Sequence, residues 1–233
     1  FSYEFTMIPK SQAEAEEIRN IIFIFKSNML PEFDGNGRRN LMADYLEIVY
    51  DDQSHPKTTY PEHLAKYLFD LFGMKSGQRI LEPGCGRGEF LNSFRKLGMN
   101  CYGVDLSAKA GSKLEGIEVK QSNFDSETLP FEKDFFDFIY NKSLLEHLWH
   151  PDHLLKETLR VLKPGGCCIS LVPDWEANYK IYFDDFTHRT PFTQFSLKDI
   201  YRICDFEKIE VFKFRQLPIV WKYPSLNLVC SVL

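Results

Sequence analysis

The stretch "ILEPGCGRGEF", Ile80 to Phe90, decides the fold that we predict for this chain. An apolar segment runs into an acidic residue, three glycines then alternate with other residues, and a helical pattern begins. A glycine-rich turn between a strand and a helix is typical of nucleotide-binding proteins, because glycines let the backbone approach the ligand closely. The sequence therefore predicts a strand, a nucleotide-binding turn and a helix, in that order.

The sequence on either side of this stretch alternates between strand and helix patterns. Strands are predicted in RILEPG, NCYGVDLS, GIEVKQSNF, FFDFIYN, CCISLVP and FEKIEVFKF, and the tail PSLNLVCSVL is either a last strand or the start of more chain. Helices are predicted in GEFLNSFRKLG, ending at Gly98, in PDHLLKETLRVLKPGG, closed by Pro164-Gly165-Gly166, and in SLKDIYRICD, capped by Ser196. We therefore expect a doubly wound, mostly parallel sheet with helices on both faces and a ligand at the carboxyl ends of the strands.

Composition and charge exclude several classes of protein. The chain has 233 residues and a formal net charge of −5, and its longest basic run is Arg38-Arg39, so we expect no nucleic-acid partner. The apolar run from Ile21 to Phe25 is too short to span a membrane. The six cysteines show neither CxxC nor Cys/His spacing, so we predict no metal site and a reducing, cytoplasmic location.

The glycine turn does not match the two commonest phosphate-binding patterns. The dinucleotide pattern has a third glycine where this chain has Glu89, whose negative charge would lie close to a diphosphate. A P-loop ends in Gly-Lys-Ser/Thr, and "GRGEF" lacks that ending. The ligand therefore needs a different chemistry from that of a dinucleotide or a nucleoside triphosphate.

Three acidic residues follow the first three predicted strands and indicate what that chemistry is. Glu82 ends the first strand, Asp105 ends the second at the distance from the turn that suits a ribose, and Asp125 follows the third. A ligand that meets three carboxylates should carry positive charge or offer hydrogen-bond donors. S-adenosylmethionine does both, through its sulfonium, its amino groups and its ribose diol.

Five motifs in this order resemble one family. "ILEPGCGRGEF", "VDLS", "NFDSETLPF", "FFDFIYNKSLLEHL" and "RVLKPGG" make the chain from about Tyr60 to Phe214 similar to the class I S-adenosylmethionine-dependent methyltransferases, small-molecule branch. The resemblance implies a Rossmann-like, seven-stranded sheet, with S-adenosylhomocysteine as the product. One departure is Asp205-Phe206 in place of the usual Gly-Phe, and aspartate tolerates the left-handed backbone expected there.

The resemblance also implies roles for particular residues around the cofactor. Its methionine part would lie against the turn, its ribose on the second strand, its adenine between the second and third strands, and its amine beside the fourth strand. The residues concerned are Glu82, Gly84, Cys85 and Gly86 for the methionine part, Asp105 for the ribose, Leu106, Phe124 and Asp125 for the adenine, the Asn141 carbonyl for the amine, and Tyr60 as a closing side chain.

Some of these residues also have a purely structural interpretation. Asp105 could be a helix cap, Asp125 a turn residue and Phe124 part of the core. The glycines could form only a tight turn, although the ordered motifs argue against that.

Two histidines are the candidate catalytic residues. Methyl transfer from a sulfonium needs alignment and a dry site, and it needs a base only when the acceptor must lose a proton. His147 follows the fourth strand, and His188 lies in the loop "YFDDFTHRTPFT" after the fifth, which faces the acceptor in this family. That loop also carries Asp184, Asp185 and Arg189, which could bind a polyhydroxyl or charged acceptor. Either histidine could instead be structural.

The sequence thus predicts a methyltransferase that acts on a small molecule, most readily at oxygen, with a sugar or saccharide precursor as one acceptor. Residues 1–73 would form a helical extension, through helices at 11–30, 41–50 and 62–72, and residues 74–233 the methyltransferase domain. The extension would be a lid or acceptor-binding cap, or alternatively a homodimer interface. The rival functions are a methyltransferase-like binding module without turnover and a nicotinamide-dependent oxidoreductase.

Overall fold

The computed structural model describes residues 56–112 and 114–223, and its centre is a parallel sheet. The strands are β1 (Arg79–Pro83), β2 (Asn100–Asp105), β3 (Glu118–Gln121), β4 (Phe136–Lys142) and β5 (Leu162–Leu171). Their order is β3-β2-β1-β4-β5, and every pairing is parallel. The order reverses between β1 and β4, so the carboxyl ends of these two strands flank the crevice where such sheets bind ligands.

Helices connect and cover these strands. The helices are α1 (Tyr60–Leu71), α2 (Glu89–Lys96), α3 (Pro151–Val161), α4 (Trp175–Asn178), α5 (Gln194–Ile203) and α6 (Pro218–Lys222). Single turns of 3₁₀ helix lie at Leu145–His147 and Tyr182–Asp184. Crossovers between parallel strands are right-handed, so α2, between β1 and β2, and α3, between β4 and β5, lie on opposite faces of the sheet.

The core forms because the central strands carry apolar residues on both faces. Ile80 and Leu81 of β1 and Ile139 of β4 are fully buried, as expected for strands covered by helices on both sides. Leu154 and Leu155 of α3 pack in the same cluster as Leu81 and Ile139. This rigid centre fixes the positions of the loops at the carboxyl edge, where the candidate site lies.

The predicted fold class is confirmed, but the count of seven strands is not. The described part of the chain has five strands. The predicted sixth, Phe206–Phe214, is an irregular segment that follows Asp205, at φ 62°, and includes Lys208, at φ 52°. Such left-handed residues interrupt the extended backbone that a strand requires. The value at Asp205 agrees with the conformation predicted for it.

Two helix boundaries also differ from the predicted ones. α5 is capped by Thr193, whose side chain accepts from the Ser196 N–H while Ser196 Oγ accepts from the Thr193 N–H. Ser196 is therefore the third helical residue, and not the cap, because a capping box places the cap residue three positions before its second member. α3 ends at Val161, before Pro164, and the "KPGG" segment is the start of β5.

The predicted helices at 11–30 and 41–50 and the tail after residue 223 lie outside the described residues, and the boundary at residues 73 and 74 stays a prediction. Among the described helices, none is both long and apolar enough to cross a lipid bilayer.

Candidate active site

The glycine turn wraps around the carboxyl end of β2. The N–H groups of Gly84 and Cys85 both donate to the Val104 carbonyl, at 2.7 and 3.3 Å. Gly84 and Gly88 have φ values of 70° and 72°, in the left-handed region that favours glycine. A Cβ atom would lie 2.9 Å from Leu144 Cδ1 at Gly84 and 2.1 Å from Leu114 Cδ1 at Gly88. Both positions therefore require glycine, for conformation and for space.

Asp105 connects the turn to the end of β2. Its carboxylate accepts from the Gly86 N–H and from the Ser107 N–H, each at 2.9 Å, and the residue is 1% exposed. These bonds support the structural interpretation of Asp105. Leu106, beside it, is 55% exposed at the same edge, as an apolar contact for a ligand would be.

Buried polar atoms without partners lie at the ends of β1 and β4. Glu82 Oε2, Tyr140 Oη and Asn141 Oδ1 have no hydrogen-bond partner among the described residues. Burial raises the pKa of Glu82 well above its usual value, and the Leu91 N–H only partly opposes this effect. Buried polar atoms are nearly always paired in native proteins, so this group fits a site that a polar ligand completes.

The side-chain amide of Asn141 is anchored through its nitrogen, whereas its oxygen has no partner among the described residues. Asn141 Nδ2 donates to Ser170 Oγ of β5 at 2.8 Å, and Ser170 is hydrogen-bonded to the Tyr201 hydroxyl of α5. The network fixes the carboxyl end of β4, where the Asn141 carbonyl is expected to meet an amine.

The two residues predicted to contact an adenine ring have other partners. Asp125 Oδ1 accepts from the His150 N–H at 2.9 Å, just before α3. Phe124 is buried in the core cluster, and its carbonyl is bonded to His153 Nδ1 at 2.9 Å. The core interpretation of Phe124 thus has direct support, and Asp125 stabilises the entry to α3.

Tyr60, the first residue of α1, contacts the helix that follows the glycine turn through the ring of Phe90. It packs edge-on against Phe90 of α2, with ring centroids 6.4 Å apart, and Phe90 packs on Tyr140 at 5.3 Å. The Tyr60 hydroxyl donates to Gln216 Oε1 at 2.6 Å, and burial raises its pKa to about 12. Tyr60 is therefore a neutral side chain close to the proposed cofactor position.

The structure brings the two predicted histidines together. The ring centroids of His147 and His188 are 4.8 Å apart, on loops that follow β4 and β5. Burial lowers the pKa of His147, although the nearby Asp185 carboxylate opposes the shift. His147 is thus held neutral at physiological pH, which is the form that can accept a proton.

Glu146 is a candidate site residue that the sequence prediction missed. Its side chain is 0% exposed, neither carboxylate oxygen has a hydrogen-bond partner among the described residues, and Oε1 lies 3.9 Å from His147 Nε2. Burial raises its pKa to about 7, and Lys142 partly opposes this effect. The Glu146 carbonyl accepts from the N–H groups of Arg189 and Thr190, which holds the His188 loop against it.

A surface groove of about 590 Å³ lies elsewhere, at the first half of β2 and β3. Tyr102, Glu118 and Phe131 line it, and it contains none of the predicted site residues. Because ligands of parallel sheets bind at the opposite, carboxyl ends of the strands, this groove is not the candidate site.

Comparison with known proteins identifies the family. Residues 56–211 match a family described as a methyltransferase domain, which covers more than half of the chain. The chain belongs to the methyltransferase-domain family. The fold agrees, since a S-adenosylmethionine-dependent methyltransferase from Archaeoglobus fulgidus superimposes with a TM-score of 0.58 at 19% identity, covering 79% of this chain and 91% of that one.

The curated relatives are similar to this methyltransferase over only part of their own length. A ubiquinone biosynthesis O-methyltransferase from Coxiella burnetii is 31% identical over 136 residues, 54% of this chain and 58% of the relative. A ubiquinone/menaquinone biosynthesis C-methyltransferase from Nitrosospira multiformis is 31% identical over 115 residues, which are 46% of this chain and 47% of the relative. The chain therefore spans about half the length of the curated relatives that it matches.

The cofactor of this methyltransferase is S-adenosylmethionine, and the residues present fit it. Glu82, Tyr140 and Asn141 each leave a buried polar atom without a hydrogen-bond partner among the described residues, beside the glycine turn, and a polar ligand could pair with these atoms. When bound, S-adenosylmethionine supplies a methyl group on a positively charged sulfur.

Proposed function

We propose that this methyltransferase transfers the methyl group of S-adenosylmethionine to a hydroxyl of a small aromatic acceptor. The observation that carries this proposal is the pair of imidazoles, His147 and His188, at the carboxyl edge that also holds the glycine turn. A hydroxyl, unlike an amine with a free lone pair, must lose its proton during transfer, and an imidazole at this position can assist that loss.

The cofactor would be held by the turn and the two central strands. Gly84, Cys85 and Gly86 would bring the backbone to its methionine part, and the buried Glu82 would bind its amino group. Asp105 would accept from the ribose hydroxyls beside its bonds to the Gly86 and Ser107 N–H groups. These assignments follow from the family resemblance and are supported by the orphaned atoms at this edge.

The remaining cofactor contacts would surround the adenine and the amine. The exposed Leu106 would cover one face of the adenine, and the Asn141 carbonyl would accept from the methionine amine. Asp125 could still accept from the adenine amine through its second oxygen, and Phe124 would support the ring from the core. Tyr60 would close the site from α1 through its contact with Phe90.

An aromatic acceptor suits the exposed surface next to the histidines. Trp149 and Phe186 are 68% and 66% exposed, and the Arg189 guanidinium lies over both rings at 4.8 and 5.2 Å. Flat rings stack favourably on such surfaces. The name of the Coxiella burnetii relative, an O-methyltransferase of ubiquinone biosynthesis, points to the same class of acceptor. The sugar acceptor suggested by the polar loop is the alternative.

The test is methyl transfer to a panel of acceptors. Purified protein with S-adenosylmethionine is incubated separately with catechol, a nucleotide sugar and a primary amine, and the methylated product and S-adenosylhomocysteine are measured by mass spectrometry. We expect both products in equal amounts with catechol and none with the amine. Transfer to the sugar alone would support the alternative acceptor and contradict an aromatic one.

Two further outcomes separate the rival functions. Cofactor binding without transfer to any acceptor would favour a binding module that lacks turnover. Binding of NAD in place of S-adenosylmethionine would overturn the proposed reaction altogether. A helical cap or dimer interface in residues 1–73 falls mostly outside the described residues and stays a prediction.

A further inference from the structure

We propose that Glu146, His147 and His188 form a binding site for a divalent first-row transition-metal ion, which would hold the acceptor hydroxyl. One carboxylate oxygen and two imidazole nitrogens of these residues lie within 4.8 Å of one another. Two imidazoles and one carboxylate are a donor set that suits zinc, iron and related ions and leaves coordination positions open. The prediction of no metal site rested on cysteine spacing, whereas this site has no cysteine and its third ligand, His188, is distant in sequence from Glu146 and His147.

The hydrogen bonds around His188 leave the correct nitrogen free. His188 Nδ1 lies 2.6 Å from the Tyr182 carbonyl, which can only accept, so Nδ1 carries the proton. Nε2 then presents a lone pair, and its nearest acidic neighbour is Asp185 Oδ2 at 3.8 Å. A histidine that donates one ring N–H to a carbonyl and ligates through the other nitrogen is the usual arrangement at metal sites.

His147 is held in the same tautomer by a longer chain of bonds. The Thr187 hydroxyl donates its only proton to Asp185 Oδ1 at 2.6 Å. In the 2.9 Å contact with His147 Nδ1, Thr187 must therefore accept, and Nδ1 must donate. His147 Nε2 thus also presents a lone pair, toward Glu146, and Asp185 and Thr187 fix its orientation.

Glu146 supplies an independent indication of a cation. Its carboxylate is fully buried with both oxygens unpartnered among the described residues, although Oε1 is only 3.9 Å from His147 Nε2. An ionised carboxylate is costly to bury, and Lys142 offsets that cost only in part. A cation between the three donors would offset more of it. Bonds of about 2.1 Å place two ligand atoms no more than about 4.2 Å apart, so closure needs movements of less than about 1 Å.

The location connects this site to the proposed function, on which the role of the ion rests. Glu146 and His147 follow β4, and His188 follows β5, at the edge where the cofactor is expected. An acceptor oxygen bound to the ion would lose its proton more readily, because a cation stabilises the oxyanion. The methyl–sulfur bond would then break as the methyl–oxygen bond forms, and the proton would pass to solvent.

The direct test is binding of Co²⁺ to the metal-free protein, followed by the visible absorption of the ion. We expect one ion per chain with a spectrum that reports nitrogen ligands. Glu146→Gln, His147→Ala and His188→Ala should each weaken binding by about 100-fold. Thr187→Val, which removes the acceptor for His147 Nδ1 together with the hydroxyl bond to Asp185, should weaken it by about 10- to 100-fold. His150→Gln, at an exposed histidine three residues from His147, is the matched control and should bind as the wild type does.

Calorimetry with S-adenosylhomocysteine checks that each variant is folded. Equal Co²⁺ affinity in the wild type and in Glu146→Gln and Thr187→Val would overturn the site, as would an absence of binding by the wild type. A methyl-transfer assay distinguishes the two proposals. Transfer to catechol that survives EDTA would refute the role of the ion and leave the methyltransferase function intact, with the imidazoles as free bases. Co²⁺ binding without transfer to any acceptor would refute the proposed function alone.

Discussion

At the scale of a single residue, Asp105 organises the glycine turn, and we propose that it also binds the ribose of the cofactor. Its two backbone hydrogen bonds hold Gly86 and Ser107 in place. Asp105→Asn keeps the size but replaces one accepting oxygen with a donor. We expect the affinity for S-adenosylhomocysteine to fall by roughly 10- to 100-fold, since a bond to a charged group is worth about 1.5–3 kcal/mol.

Isothermal calorimetry measures this loss of affinity, and Asp199→Asn on the exposed surface of α5 is the control. Unchanged affinity in Asp105→Asn would mean that the ribose is bound elsewhere.

Gly88 is a residue at which conformation and space can be separated by experiment. Gly88→Ala should lower the free energy of unfolding by about 2–4 kcal/mol, because the new Cβ meets Leu114 at 2.1 Å and the backbone has φ 72°. Gly73→Ala has a similar φ of 60° and no atom within 4 Å of the Cβ, so it should cost only about 1–2 kcal/mol.

Chemical denaturation of both variants measures the difference. Leu114→Ala added to Gly88→Ala should recover the part of the loss that comes from crowding. Equal losses in the two glycine variants would contradict the close packing of Leu114.

At the scale of elements, the cap of α5 decides where that helix begins. Thr193→Ala removes the side chain that accepts from the Ser196 N–H and should lower the free energy of unfolding by about 1 kcal/mol. Thr59, the cap residue of α1, makes no side-chain capping bond, so Thr59→Ala is the matched control. It should lower the free energy of unfolding by only a few tenths of the loss expected for Thr193→Ala. Denaturation by urea compares them, and a larger loss at Thr59 would be the contrary result.

The elements around the site could be predicted from sequence where pattern and chemistry agree. Apolar residues before Gly84 predicted β1, and Gly98, with φ 87°, ends the turn after α2 as expected. The segment Phe206–Phe214 was misjudged because its alternating residues suit a half-buried strand, whereas pairing depends on neighbours that are distant in sequence. Ser196 was taken for the cap because either residue of a Thr-x-x-Ser box can cap a helix.

Part of the candidate site could be predicted from sequence, where the chemistry of a residue and the order of the strands point to the same place. His147 and His188 were found because imidazoles are recognisable bases, and the order of the strands brings them together. Glu146 was missed because an acidic residue in a loop is usually solvated. Its position inside the apolar run "LLEHL" was the available signal, since a carboxyl between leucines is often buried.

At the scale of the whole molecule, α3 is tied to the connection between β3 and β4 by hydrogen bonds of the two members of an ion pair within α3. Arg160 binds Glu157 at 2.6 Å and also donates to the carbonyls of Leu129 and Phe131. The Arg160 guanidinium holds the pKa of Glu157 below its usual 4.5. The pair should therefore stabilise the fold fully above pH 4.5 and lose that effect as the pH falls through the lowered pKa.

Glu157→Gln should thus be less stable than the wild type at pH 7, by about 1 kcal/mol, and the difference should shrink as the pH falls below 4.5 and through the lowered pKa of Glu157. Urea denaturation across this pH range measures it. A difference that grows on acidification would reverse the sign and contradict the ion pair.

The central claim is that the carboxyl edge of this sheet binds S-adenosylmethionine and its product S-adenosylhomocysteine. Calorimetric titration of the protein with S-adenosylhomocysteine, and of a second sample with NAD, tests it most directly. We expect one equivalent of S-adenosylhomocysteine to bind with a clear heat signal and NAD to give none. Saturable binding of NAD, with no heat from S-adenosylhomocysteine, would contradict the claim.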